Sequence, residues 1–171
     1  MVYAVIDTNV LISSLITSDE RSPTIAVMNA IRNGRIIPVY SDYLLEEYKE
    51  VLSREKFHVE QIISDLLIRL FTDNGIHFEP NDEHVIMPDL DDIPIYLIAM
   101  QTRDLDSYLV TGNTRHFPDV DYVVTPRKMM KMLDLNSPGD LKGNPRYTSS
   151  EGHRSPRRHP GPPSPRLRRH P

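Results

Sequence analysis

Four short runs, VYAVI (2–6), RIIPVY (35–40), SYLVT (107–111) and DYVVT (121–125), are rich in β-branched and aromatic residues, and several are apolar on both faces. A strand without a polar face needs cover on two sides, which is the situation of strands in a parallel sheet flanked by helices. The stretches between them carry helix punctuation. Ser22-Pro23 supplies an N-cap and an N1 proline, and Gly34 a stop; Thr125-Pro126 opens a second such helix before RKMMKML. Gly75 follows VEQIISDLLIRLFTDN, in which Ile62, Ile63, Leu66, Leu67, Leu70 and Phe71 read as one apolar face. This alternation predicts an α/β domain with a mainly parallel central sheet. Pro38, which lacks a ladder donor, pushes the second run toward a sheet edge.

The pattern stops near Asn136. Up to that residue there are 12 Lys and Arg against 22 Asp and Glu, a net charge of −10; the remaining 35 residues carry 8 basic and 2 acidic residues, a net of +6, and 8 of the 15 prolines. So few large aliphatics cannot offset the entropy of ordering such a segment. The expectation is a folded domain over 1–135 and a disordered Pro/Arg-rich tail over 136–171. That tail could tether RNA through its cations, but its Pro-Arg-His-Ser monotony favours an untuned extension. With no cysteine in the chain, disulfides and thiolate metal sites are excluded. The start lacks a basic n-region, and no apolar run approaches the roughly 20 residues of a membrane span. The expected location is cytoplasmic.

In open α/β sheets, ligands bind outside the carboxyl ends of the strands. Asp7 stands there, directly after the first apolar run. In SDYLLEEYKEVLSREKF the apolar stripe Leu44, Leu45, Tyr48, Val51 and Leu52 directs Glu46 and Glu50 toward solvent and leaves Glu47 on the flank, within reach of a cleft. In MPDLDDIPIYLIAMQ, Asp89, Asp91 and Asp92 crowd a helix start whose inner face is Ile95, Ile98, Ala99 and Thr102. One acid suffices to cap a helix; three in four residues repel one another unless a cation relieves them. Asp92 lies on the inner face and Asp91 at its edge. The strand YLVT then runs into Gly112 and Asn113, a further oxygen donor at the same sheet edge. Donors that are all oxygen suit Mg²⁺ or Mn²⁺ better than zinc, and such ions serve phosphate chemistry.

Together these segments resemble the PIN domain, the nuclease fold of many prokaryotic toxin–antitoxin toxins, over residues 2 to 133. VIDTNVLIS is similar to the family's opening hhhDTNhhh; SDYLLEEYKEVLSREKF to the segment bearing its second acid; DLDDIPIYLIAM to its D-x-x-I-x-x-x-A spacing, read from Asp92; and YLVTGNTRHFP to its closing motif. The resemblance implies a three-layer α/β/α sandwich of Rossmann-like type. It also implies a metal-dependent endoribonuclease, the toxin of a pair whose other member is a small antitoxin protein, and a homodimer. Asp7, Glu47 and Asp92 would hold Mg²⁺ or Mn²⁺, and a water activated there would attack the scissile phosphate in line. Asn113 would order the ion's water shell. Thr8, Asn9 and Thr111 would support the ligands by hydrogen bonds, with Asp91 a neighbour of the same cluster. The chain departs from the pattern at Asn113, where many PIN domains have a fourth acid; the oxygen donor stays but one negative charge is lost.

Two other readings compete. A haloacid-dehalogenase-like phosphatase also opens on a strand ending in Asp, but needs a second acid where Asn9 stands. It also needs its Thr-ended strand before its acidic motif, whereas LVT (109–111) follows DLDD (89–92). A catalytically weakened PIN domain that binds RNA or a partner protein without cutting is kept alive by Asn113 and by the acidity of the folded part. Arg103, Arg115, Arg127, Lys128 and Lys131 either rim the site or are ordinary solvated cations. His116 reads as a turn-packing residue, His58, His77 and His84 have no ligand spacing, and Tyr40, Tyr43 and Tyr48 read as core and sheet-edge packing.

Overall fold

The structure is a computed structural model that describes residues 1–135; the Pro/Arg-rich tail expected over 136–171 lies outside the described residues. Each of the four apolar runs forms a strand: β1 (Val2–Ile6), β2 (Ile36–Tyr40), β4 (Tyr108–Val110) and β5 (Val123–Val124). A fifth, β3 (Ile76–His77), is a two-residue strand with both side chains exposed, too short and too polar to announce itself by periodicity. All pair in parallel in the order β3-β2-β1-β4-β5. Ala4, Val5 and Ile6 are each completely buried. Because successive strand residues point to opposite faces, both sides of the sheet are covered, and the architecture is the expected α/β sandwich.

Among the described residues six α-helices supply the cover: α1 (Thr8–Ile16), α2 (Pro23–Arg32), α3 (Asp42–Leu52), α4 (Gln61–Asn74), α5 (Ile93–Gln101) and α6 (Pro126–Leu135). The predicted starts are present. The Ser22 hydroxyl accepts from Thr24 N–H at the head of α2, and the Thr125 hydroxyl from Lys128 N–H at the head of α6. β2 is not the edge strand that Pro38 suggested, since it lies between β1 and β3; the proline is tolerated because the pairing with β1 runs through residues 36–38 while that with β3 begins only at Val39. Gly34 ends α2 in the left-handed region at φ +68, a conformation that costs side-chain-bearing residues free energy.

Two further expectations change. Gly75 has an extended φ of −112, so conformational freedom is not what it supplies. A Cβ there would lie 2.5 Å from the Phe71 carbonyl oxygen and 2.6 Å from that of Pro38; its missing side chain lets the end of α4 press on β2. The apolar face of α4 is also rotated. Phe71 and Ser64 are buried, whereas Ile62, Ile63 and Leu66 are exposed, because the helix is anchored through Phe71 against Tyr48, with ring centroids 5.0 Å apart.

The chain runs from β1 to its neighbour β2 on one side, yet β1's other neighbour is β4. The strand order therefore reverses between β1 and β4, and crevices at such switch points are where open α/β sheets bind ligands. Ile6 is in register with Val110, so the residues that follow them, Asp7 and Thr111, emerge side by side.

Candidate active site

Asp7 leaves β1 and at once becomes the N-cap of α1. Its Oδ1 accepts from Asn9 N–H at 3.0 Å, and its Oδ2 from the Asn9 amide at 2.8 Å and from the Thr111 hydroxyl at 2.6 Å. Asn9 Oδ1 in turn accepts from Gly112 N–H at 3.2 Å, and a Cβ on Gly112 would press on that same oxygen. The DTN and TGN segments, about a hundred residues apart, are thus laced into one unit. Asp7 is only 7% exposed. Burial pushes its carboxyl above the usual range, hydrogen bonds from Thr111 and Asn9 pull it back, and the charge of Asp92 adds to the rise. Three donors do not fully replace water around a buried carboxylate.

Glu47 arrives on α3, in the phase the sequence predicts: Glu46 and Glu50 are exposed and Glu47 is half-buried. Its Oε1 accepts from the Thr8 hydroxyl at 2.7 Å. The next residue, Tyr48, is fully buried and its phenol donates a short hydrogen bond to the Ile6 carbonyl, pinning α3 to the end of β1. Glu47 is raised first by burial and then by the charges of Asp7 and Asp92, with the Thr8 bond opposing. Tyr43, expected to pack, is instead 51% exposed on this rim; its phenol is raised by partial burial and by Glu47, Asp91, Glu50 and Asp92.

Asp92 is the N-cap of α5 in position, but its side chain makes no capping hydrogen bond. A capping hydrogen bond therefore does not account for it. Its Oδ2 lies 3.0 Å from His116 Nδ1, which is also 3.3 Å from Asp89 Oδ2. Asp91 is exposed, and its N–H donates to Asp89 Oδ1. Asn113 N–H donates to the Thr111 hydroxyl at 3.0 Å, while the Asn113 amide makes a short contact with His116 Nε2. His116, expected to pack in its turn, and Asp89, expected only as one of the crowded acids, thus stand with Asp92 in one cluster. The signal for His116 was the three-residue step from Asn113 to His116, which the 3₁₀ turn Thr114–His116 folds back on itself.

Among the described residues, two groups bring three ligand atoms within 4.8 Å of one another: Asp89, Asp92 and His116, and Asp42, His77 and Glu79. The second is an exposed tether between β3 and the head of α3, in which Glu79 accepts from Asp42 N–H and His77 bridges both acids. Asp7 and Glu47 belong to neither group. They share a field with Asp92 without closing to mutual ligand distance, and among the described residues neither has a cationic partner. Asp7 and Glu47, uncompensated carboxylates raised first by burial and then by neighbouring negative charge, are the kind of oxygen donors that suit a hard divalent cation. Of the cations considered for a rim, Arg103 donates to the Ser107 carbonyl and lies over the Tyr108 and Tyr122 rings. It is a packing residue, whereas Arg115, Arg127, Lys128 and Lys131 are exposed.

A cavity of about 300 Å³ opens beside the carboxylates, lined by Asp7, Thr8, Asn9, Ile12, Ser13, Glu47, Val51 and Phe57. A larger one, about 580 Å³, lies between α3 and α4 and includes none of the three acids. Its wall carries the solvated pair Lys49–Glu46, and it reads as an ordinary helix groove. A family model described as PIN domain matches residues 3–115. No curated protein and no solved structure matches the chain.

Proposed function

The chain belongs to the PIN-domain family, whose fold is of nuclease type, and we propose that it is a metal-dependent endoribonuclease, the toxin of a toxin–antitoxin pair. The observation that carries this reading is Asp7: a buried carboxylate at the switch point, raised by burial and by Asp92, with no cationic partner among the described residues. Asp7, Glu47 and Asp92 would hold Mg²⁺ or Mn²⁺. When bound, such an ion supplies Lewis-acid activation of water and neutralises charge gathering on the phosphate.

The remaining work falls to the chain's own groups. Thr111 and Asn9 hold the Asp7 carboxylate in one orientation, and Thr8 does the same for Glu47. His116, linked to Asn113, braces Asp92. Orienting contacts of this kind keep ligands aimed where charge develops. The net charge of −10 up to Asn136 repels a polyanion, so RNA binding itself is expected to need the cation. The small antitoxin and a homodimer belong to this proposal through the family, and a cytoplasmic location is proposed with them on the expectation from the sequence. Among the described residues no helix is long and apolar enough to cross a membrane.

The test is cleavage of single-stranded RNA with Mg²⁺ or Mn²⁺, with and without chelator, beside Asp7→Asn. Cleavage that survives the substitution would remove the metal-site reading. A second reading, RNA binding without cleavage, rests on Asn113, whose neutral amide is engaged with His116; metal-dependent RNA binding with no product under any ion would favour it.

A further inference from the structure

We infer that the cavity beside Asp7 and Glu47 is a subsite for one unpaired nucleobase of a single-stranded RNA, with Phe57 as its stacking platform. The inference rests on the nuclease reading and deepens it by naming the form of the substrate. The cavity is graded in polarity. On α1, Thr8 and Ile12 stand four residues apart and so share a face; on α3, Glu47 and Val51 do the same. Each helix therefore sets a polar residue beside the carboxylates and an apolar one a turn further out. Ile12 is buried and Val51 half-buried, and Phe57 completes the apolar part of the lining. A nucleotide has the same order of parts, an anionic phosphate and then a flat apolar base. A phosphate drawn to the acids by a cation would leave its base facing this wall.

Phe57 packs against the core but is only partly buried. It lies in the 3₁₀ turn Glu55–Phe57 between α3 and α4, is half-buried, and borders both this cavity and a second of about 240 Å³ lined also by Leu15, Val59 and Ile63. The turn is fixed by His58 at φ 51, a left-handed conformation that a residue other than glycine holds at a cost. Lys56 Nζ lies over the Phe57 ring, 4.8 Å from its centroid, so one face of the ring already carries a cation and a stacked base would take the other. Base–aromatic stacking of this type tolerates any base but needs an unpaired one.

The experiment uses the full chain with Mn²⁺ and short single-stranded RNAs carrying 2-aminopurine, whose fluorescence changes on stacking, together with matched RNAs lacking that base. Wild type is expected to change the fluorescence and to lose affinity when the base is missing. Phe57→Leu is expected to weaken binding roughly tenfold, to abolish the fluorescence change and to erase the penalty for the missing base, whereas Phe57→Trp retains all three. Val51→Phe, which adds bulk to the cavity lining and leaves Phe57 in place, is expected to weaken binding too, so the result does not depend on one variant folding. RNA binding that is unchanged in Phe57→Leu and in Val51→Phe overturns the subsite alone. A fluorescence change that follows Tyr43→Leu places the base on the other rim and also overturns it. A wild-type protein that binds no RNA at all overturns the nuclease reading along with it.

Discussion

At the scale of single residues, the site is a balance between desolvated carboxylates and the hydroxyls that hold them. Thr111 serves twice, donating to Asp7 and accepting from Asn113 N–H. Thr111→Val keeps the shape and removes both bonds; metal affinity read by titration is expected to fall about 10–100-fold. Glu47 allows a test by pH. Its ordinary value is 4.5 and the fold raises it, first by burial, so between the two values the native state holds more protons than the unfolded one. The stability linked to this group is therefore full below the unfolded value and is lost as pH rises through the folded one. Glu47→Gln keeps an oxygen for Thr8 and removes the charge. In metal-free protein it is expected to be the more stable form at pH 7 by about 0.2–1 kcal/mol, the gain vanishing near pH 4 in thermal melts; a gain that is independent of pH would contradict the cause given. Asp7 and Glu47 were legible from a strand end and a helical phase. The bracing of Asp92 by His116 was not, because it depends on a 3₁₀ turn bringing a side chain back across the strand ends.

At the scale of elements, the strands were legible wherever both faces had to be covered, and the helix starts wherever a hydroxyl preceded a proline. What periodicity could not give is rotation. The stripe of α4 contains more apolar residues than its contact surface holds, and the anchor at Phe71 decides which of them turn inward. Nor could it distinguish a glycine that bends the chain from one that makes room. Gly75→Ala places a Cβ against two backbone oxygens at 2.5 and 2.6 Å, so the junction of α4, β3 and β2 must shift. The expected cost is about 1–3 kcal/mol, seen as a lowered denaturant midpoint; an unchanged midpoint would mean the helix end is free to move. Tyr48 links this scale to the site, since its short bond to the Ile6 carbonyl holds α3, and with it Glu47, against the end of β1.

Across the whole molecule, a parallel sheet that reverses its order between β1 and β4 delivers Asp7 and Thr111 to one crevice, and α3 and α5 bring Glu47 and Asp92 toward it. The proposed function requires a cation to mediate between so acidic a domain and a polyanion. Direct titration with Mn²⁺, followed by its paramagnetic resonance signal, tests that claim most closely. The account predicts saturable binding to the wild-type chain that is lost in Asp7→Asn and strongly weakened in Glu47→Gln. Binding of equal strength in wild type and Asp7→Asn would contradict it.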